Sequence, residues 1–379
     1  MKIIVAPDSF KGSLTAVQAA KAMEEGILRY DPTINIKILP AADGGEGTMD
    51  SLIRSTSGIL TTHRVHDPLG RMINADYGVL GDGKTCVIEI AEASGLMLID
   101  EHEQNPLLAS SFGTGELTVH ALDAGYRNFI IGLGGSGTND AGTGMLSALG
   151  MKFLNRAGTE LPLGGGALGE LYSIDSTLFD KRIAECKFII ASDVENPLVG
   201  LKGASYVFGP QKGATNETVK LLDENLLNFA NITENITGIR LHNKTGAGAA
   251  GGAGGAFQAF FPSVMKRGID VVLNAISFDD HIHDAELILT GEGMSDVQTL
   301  SGKTPFGIAE VAQRKGKPIL LISGLVAEES RELLMPLFNE VHSVVGIDVS
   351  VEESMNESFH YLKMKTYKVI KDYFTKIKQ

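Results

Sequence analysis

"MKIIVAPDSFKGSLTAVQAAKAMEEGIL", residues 1–28, sets one short apolar run before one amphipathic segment. The run at 2–8 reads as a buried strand. Thr15 is placed to cap the helix after it, and Gln18, three residues on, completes a capping box. Four later runs have the same character: "NIKILPAAD" (35–43), "AELILTGEG" (285–293), "KPILLISG" (317–324) and "VHSVVGID" (341–348). Helical segments, "PFGIAEVAQRKGK" and "ESRELLMPLFNE", separate the last three. Apolar strands alternating with helices predict a flavodoxin-like or Rossmann-like parallel sheet.

Those strands come from the two ends of the chain, and the middle reads differently. "DPLGRMINADYGVLGDGKTCVIEIAEA" predicts a hairpin-like pair about Gly81-Asp82-Gly83. It is followed by "FIIGLGG", "KFIIASD" and long Gly/Ala-rich loops. The expected fold is therefore α/β with two domains. Residues 1–65 and 285–379 form a discontinuous flavodoxin/Rossmann-like domain. Residues 66–284 form an inserted α/β domain with Gly-rich phosphate loops, and the active site is expected in the interdomain cleft. A length of 379 residues agrees with two cores rather than one.

Composition narrows the partners. A net charge of −13 argues against nucleic acid and against a membrane surface, both of which call for a basic face. The basic tail "YLKMKTYKVIKDYFTKIKQ" carries Phe359, Leu362, Val369, Ile370, Tyr373 and Phe374 at helical spacing, as in a surface helix with a lysine-rich solvent side. Cys86 and Cys186 sit in apolar runs and read as buried free thiols of a reducing compartment. The first apolar run is too short for a signal segment and no span suits a bilayer, so a cytoplasmic protein is expected.

Acids recur where the strands end, beside glycine. They are Asp8 in "VAPDSFKGS", with Ser9 and Lys11; Asp43 and Glu46 in "LPAADGGEG"; Asp140 in "GGSGTNDAGTG"; Asp193 and Glu195 in "IIASDVENP"; and Glu292 and Asp296 in "LTGEGMSD". One such Asp is an ordinary helix cap or turn residue. Repeated at several strand ends, they suit a hard cation, Mg²⁺, that also binds phosphate.

"IIGLGGSGTNDAGTGM" (130–145) contains G-x-G-x-x-G at Gly132, Gly134 and Gly137. A dinucleotide turn also wants an acid about 20 residues on. The next run, "MKFLN", ends in Asn155, and Asp140 inside the loop would repel a pyrophosphate. A second copy, Gly246-x-Gly248-x-x-Gly251, follows a polar "HNKT". The nicotinamide reading is set aside. Gly134, Gly135 and Gly137 with Ser136 and Thr138 can instead form an anion nest before a helix, or a tight turn without ligand. "LSGKTP" (300–305) fails as a Walker loop because Val297 stands where its first Gly belongs. His281 and His283 in "DDHIHD" read as a solvated loop.

The ordered stretches "VAPDSFKGSLTA", "ADGGEGTMDSL", "DPLGR", "EIAEASGL", "NPLLASSFGTGEL", "GLGGSGTNDAGTGML", "SDVENPL", "KGASYVFGPQKGA", "GAGAAGG", "GIDVVL" and "LTGEGMSDVQTLSGKTPFGIA" resemble the type I bacterial glycerate kinases along the whole chain. The resemblance implies ATP- and Mg²⁺-dependent (or Mn²⁺-dependent) phosphorylation of D-glycerate, with 2-phosphoglycerate as product. Glycerate 3-kinase activity, or action on a related small hydroxy acid, stands as the alternative. An NAD-dependent dehydrogenase and a non-catalytic sugar-acid-binding protein stand behind it. Two departures accompany the match: Met294 replaces an Arg, and Val297 a Ser.

Roles follow as expectations of phosphoryl-transfer chemistry. Asp193 is expected as acceptor-hydroxyl base, with Lys11 catalytic. Asp8, Ser9, Lys11 and Arg71 are expected to bind substrate, although Arg71 after Asp-Pro-Leu-Gly also suits a hairpin entry. Gly134, Gly135, Ser136, Gly137, Thr138, Asn139, Lys212 and Lys303 are expected at the nucleotide phosphates. Asp43, Asp140, Glu292 and Asp296 are expected at the metal. D-glycerate and ATP are the expected partners, and a homodimer is compatible with the sequence.

Overall fold

A computed structural model describes residues 1–45 and 47–377, so Glu46 lies outside the described residues. The main strands opening the chain are β1 (Lys2–Val5) and β2 (Asn35–Ile38). The middle carries β3 (Ile59–His66), β4 (Met72–Val79), β5 (Thr85–Glu89), β6 (Asn128–Gly132), β7 (Lys187–Ala191) and β8 (Ser263–Lys266). The chain closes with β9 (Leu287–Thr290), β10 (Ile319–Ser323) and β11 (Glu340–Ser343). Two compact units result: residues 1–43, 50–57 and 269–379, and residues 44–49 and 58–268.

The first unit holds a five-stranded sheet in the order β11-β10-β9-β1-β2. Every pairing in it is parallel. Counted along the chain within the unit, this is 2-1-3-4-5, the flavodoxin-like order, with its reversal between β1 and β9. All five apolar runs are strands here. β9 and β10 are buried at every position because helices cover both faces, whereas edge strand β2 is partly exposed. The helix Ala16–Tyr30 begins with the Thr15/Gln18 capping box. It packs on the C-terminal helix Ser358–Ile377, whose Leu362, Val369 and Ile370 are buried. Gly26 permits that close crossing: a Cβ there would lie 2.5 Å from the Lys363 carbonyl.

The second unit holds a six-stranded sheet, β8-β7-β6-β5-β4-β3. β8, β7, β6 and β5 run parallel, while β5–β4 and β4–β3 are antiparallel. The predicted pair about Gly81–Gly83 is β4–β5. Residues 59–65, expected from the sequence with the terminal strands, instead lie in β3 of this sheet. Likewise residues 269–284 lie with the first unit. The core of the second unit centres on Phe129 and Phe188, stacked 4.7 Å apart. Cys86 and Cys186 are buried free thiols, and burial pushes both up. Among the described residues, no helix is long and apolar enough to cross a membrane.

Candidate active site

In the first unit, the reversal of strand order puts the loops after β1 and β9 at the place where open parallel sheets bind ligands. Asp8 and Glu292 stand on those loops. The two loops are laced together beyond the sheet, with Asp8 N–H donating to the Gly291 carbonyl at 2.8 Å. Asp8 accepts from Ser9 N–H at 2.6 Å and from Thr304 Oγ1 at 2.5 Å. Burial pushes its carboxyl up to about 7, and the nearby Asp43 and Glu292 carboxylates add to the rise.

Glu292 is also buried and held above the usual carboxylate range by desolvation. Its Oε1 accepts from Thr299 Oγ1 at 2.7 Å and Ser295 Oγ at 2.8 Å. Lys303 Nζ lies 3.8 Å from Glu292 and 3.9 Å from Asp296. Asp296 itself caps the turn Val297–Ser301, accepting from Gln298 N–H at 2.8 Å. Met294 lies on a two-residue bridge pairing with Leu325, its side chain 48% exposed. Lys11 is exposed on the loop after Phe10.

The second unit assembles the Gly-rich loop differently from a nest. Gly137 N–H donates to the Ser94 carbonyl at 2.9 Å, and the Gly135 carbonyl accepts from Leu96 N–H at 2.8 Å. The loop is therefore pinned on residues 94–96, and Ser136, Thr138 and Asn139 are buried. Lys212 is buried beneath it, donating to Thr138 O at 2.7 Å and Ser136 Oγ at 2.9 Å. Burial lowers its ammonium to about 7. Such a Lys shapes the loop from below, with Ser136 and Thr138 as its partners.

Asp140, expected as a metal ligand, has no exposed surface. It accepts from Ser111 N–H and Ser111 Oγ, both at 2.8 Å, from Gly142 N–H at 3.0 Å and from Gly144 N–H at 3.2 Å. Four donors on two oxygens make it an internal cap. The second Gly-x-Gly pattern turns out to back the first. Ala141 N–H donates to Gly251 O at 3.0 Å. A Cβ on Gly251, whose φ is +63°, would lie 2.0 Å from Thr138 O. The helix that follows the loop is only Thr143–Ala148, unlike the long helix of a dinucleotide fold.

Arg71 closes the turn between β3 and β4. Its Nε meets Asp67 at 2.6 Å and its Nη1 meets Glu103 at 2.9 Å, so the hairpin-entry alternative describes it. Asp193 is exposed just beyond β7 and accepts from Gly268 N–H at 3.1 Å. The residue that sequence reasoning missed is Glu89. Buried at the end of β5, it accepts from Met49 N–H at 2.7 Å and Gly47 N–H at 3.4 Å. Its signal, an acid closing the apolar run "TCVIE", was present in the sequence.

Among the described residues, no three His, Cys, Asp or Glu side chains converge as a ready metal-binding group. A Mg²⁺ site does not require one, because this ion keeps several waters and takes only one or two carboxylates besides phosphate. The oxygen-only donors Asp8, Asp43 and Glu292 fit it. Desolvation, and after it the like charges of Asp43 and Glu292, push Asp8 up, and a divalent cation would oppose the like-charge part of that rise.

The chain matches the model of the glycerate kinase family over residues 3–373. It is 45% identical to a glycerate kinase of Bacillus subtilis (strain 168), covering 96% of this chain and 95% of that one. It is equally 45% identical to the glycerate 2-kinase of Escherichia coli (strain K12), over 95% and 94%. A crystal structure assigned as glycerate kinase 2 from Salmonella typhimurium LT2 superposes with a TM-score of 0.90 at 40% identity, covering 100% of both chains.

Proposed function

The chain belongs to the glycerate kinase family, and on that premise we propose that it transfers the γ-phosphoryl group of ATP to the 2-hydroxyl of D-glycerate. The product is 2-phosphoglycerate, formed by direct in-line transfer. The position of attack is supported by the relative named as a 2-kinase. The observation that carries the chemistry is the half-buried Asp8 carboxyl, tied by Ser9 and Thr304 and raised to about 7 near Asp43 and Glu292 at the sheet's switch point.

Asp8 and Glu292 would hold Mg²⁺ together with its waters, and the ion when bound offsets charge on the phosphate oxygens. Ser295 and Thr299 fix Glu292 by hydrogen bonds to Oε1, leaving Oε2 toward Lys303. Lys303 then supplies positive charge where Met294 supplies none. Asp193 is the base that takes the proton of the acceptor hydroxyl. It is exposed and accepts from Gly268 N–H, which orients its carboxylate beyond β7. Asp193→Asn should lower turnover by about 10²-fold with the melting temperature unchanged. Wild-type turnover in that variant assigns the proton elsewhere.

The proposal is tested by coupling ATP consumption to D-glycerate and identifying the product by NMR. ADP and 2-phosphoglycerate should form together, stop when divalent cations are chelated, and resume with Mg²⁺ or Mn²⁺. A 3-phosphoglycerate product would replace the 2-position, and ATP left unconsumed with D-glycerate would remove the kinase reading.

A further inference from the structure

We propose that an apolar cavity beside the carboxylate cluster of the first unit receives the aromatic base of the nucleotide donor. This rests on the kinase reading above and names the part of the donor that the acids cannot hold. The cavity measures about 230 Å³ and adjoins the loops that follow β1, β9, β10 and β11. Phe10 and Val344 on its wall are buried, whereas Met294, Val351 and Met355 are 48%, 54% and 47% exposed. An apolar side chain exposed singly is ordinary. Three gathered on one concavity mark a binding feature.

The lining decides the chemistry of the occupant. The cavity is smaller than the roughly 300–1,000 Å³ that encloses a whole drug-sized ligand, so it takes a ring system and leaves the remainder outside. Two of its three serine hydroxyls, those of Ser13 and Ser358, are spent on the protein. Ser13 Oγ donates to Phe10 O at 3.0 Å, and Ser358 Oγ donates to Ser354 O at 2.7 Å. The only charged side chain in the lining is that of Lys11. A phosphate inside would meet that one ammonium and otherwise apolar walls, whereas a flat apolar ring loses no hydration it needs. The thioethers of Met294 and Met355 suit such a ring, being adaptable and attractive to aromatic edges.

Chain connectivity joins this cavity to the acids. Phe10 follows Asp8, and Met294 follows Glu292, by two residues, which span at most about 7 Å of extended chain. Glycines lock the loops together. A Cβ on Gly293 would lie 3.1 Å from Lys11 N and 3.2 Å from Phe10 Cα. Gly324 N–H donates to Glu292 O at 3.0 Å, and Leu325 N–H to Gly293 O at 2.9 Å. A ligand with its ring in the cavity and its other end near Asp8 and Glu292 is apolar at one end and anionic at the other. A nucleoside phosphate has that chemistry.

The test compares Mg²⁺–ADP with Mg²⁺–pyrophosphate by calorimetry in the full-length protein. Wild type should bind ADP at least about tenfold more tightly than pyrophosphate. Met355→Trp, which fills the cavity from a half-exposed position, should weaken ADP by at least about tenfold and pyrophosphate by less than about twofold. A general structural effect would weaken both. If thermal melting shows that variant misfolded, Met294→Trp makes the same test from a second position. ADP affinity within about twofold of wild type in a folded variant, or equal affinity of wild type for ADP and pyrophosphate, overturns the base site. Wild type that binds neither ligand overturns the kinase reading itself, a different result.

Discussion

Asp8→Asn is expected to lower turnover by about 10³-fold and to raise the melting temperature at pH 8. The loss of turnover follows from removing one of the carboxylates that would hold the cation. The gain in stability follows from linkage. Asp8 is raised from 3.8 to about 7 in the folded protein, so the folded state holds its proton more tightly than the unfolded chain does. Its contribution to stability is therefore fully present below about pH 4 and is lost as pH rises through about 7. Asn carries no such charge. A full shift of this size corresponds to about 4 kcal/mol, and water access reduces it to about 1–2 kcal/mol.

The variant should then melt a few degrees above wild type at pH 8 and alongside it near pH 4. Mg²⁺ should stabilise wild type and leave Asp8→Asn unmoved. Equal melting of the two proteins at pH 8, with turnover intact, would remove Asp8 from the site.

Asp140→Ala is expected to cost about 3–5 kcal/mol, enough to remove most of the folded protein at 37 °C. The substitution leaves Ser111 N–H, Gly142 N–H and Gly144 N–H without their acceptor in a fully buried place. Ser111 Oγ also loses the acceptor of its own proton, and Ser111 Oγ is what receives Met145 N–H at 3.0 Å. One carboxylate thus fixes both the entry to the helix Phe112–Asp123 and the Gly-rich loop.

Asp140→Asn keeps the shape and part of the acceptor capacity, and should retain a fold about 1–3 kcal/mol less stable. The Mg²⁺ concentration giving half-maximal turnover should be unchanged in it. Denaturant melts measure the first expectation and a Mg²⁺ titration of the surviving activity the second. A large rise in the Mg²⁺ requirement would return Asp140 to the metal.

The sequence by itself determined the first unit's sheet. Its central strands β1, β9 and β10 are buried, so each reads as an unbroken apolar run, and the Thr15/Gln18 box marks the first helix locally. It also determined that acids close the strands, because an apolar run ending in Asp or Glu is visible without coordinates. What it could not give is the partner of each acid. Asp8, Asp140 and Asp296 occupy the same kind of Gly-flanked loop. Only tertiary packing makes the first a crowded carboxyl near neutrality, the second a four-donor internal cap and the third the cap of one turn.

The same holds for basic residues. Lys212 and Lys303 differ little in sequence context, yet one is buried under a loop and the other faces Glu292. Residues 59–65 were placed with the terminal strands because "ILTTHRV" has no unbroken apolar run to mark it as a strand, although its pairing with β4 across Asp67–Arg71 is a local hairpin. The two Gly-x-Gly patterns meet only through folding. Periodicity and capping are written in neighbours a few residues apart. Charge state and hydrogen-bond satisfaction depend on groups far along the chain, and those only the tertiary structure supplies.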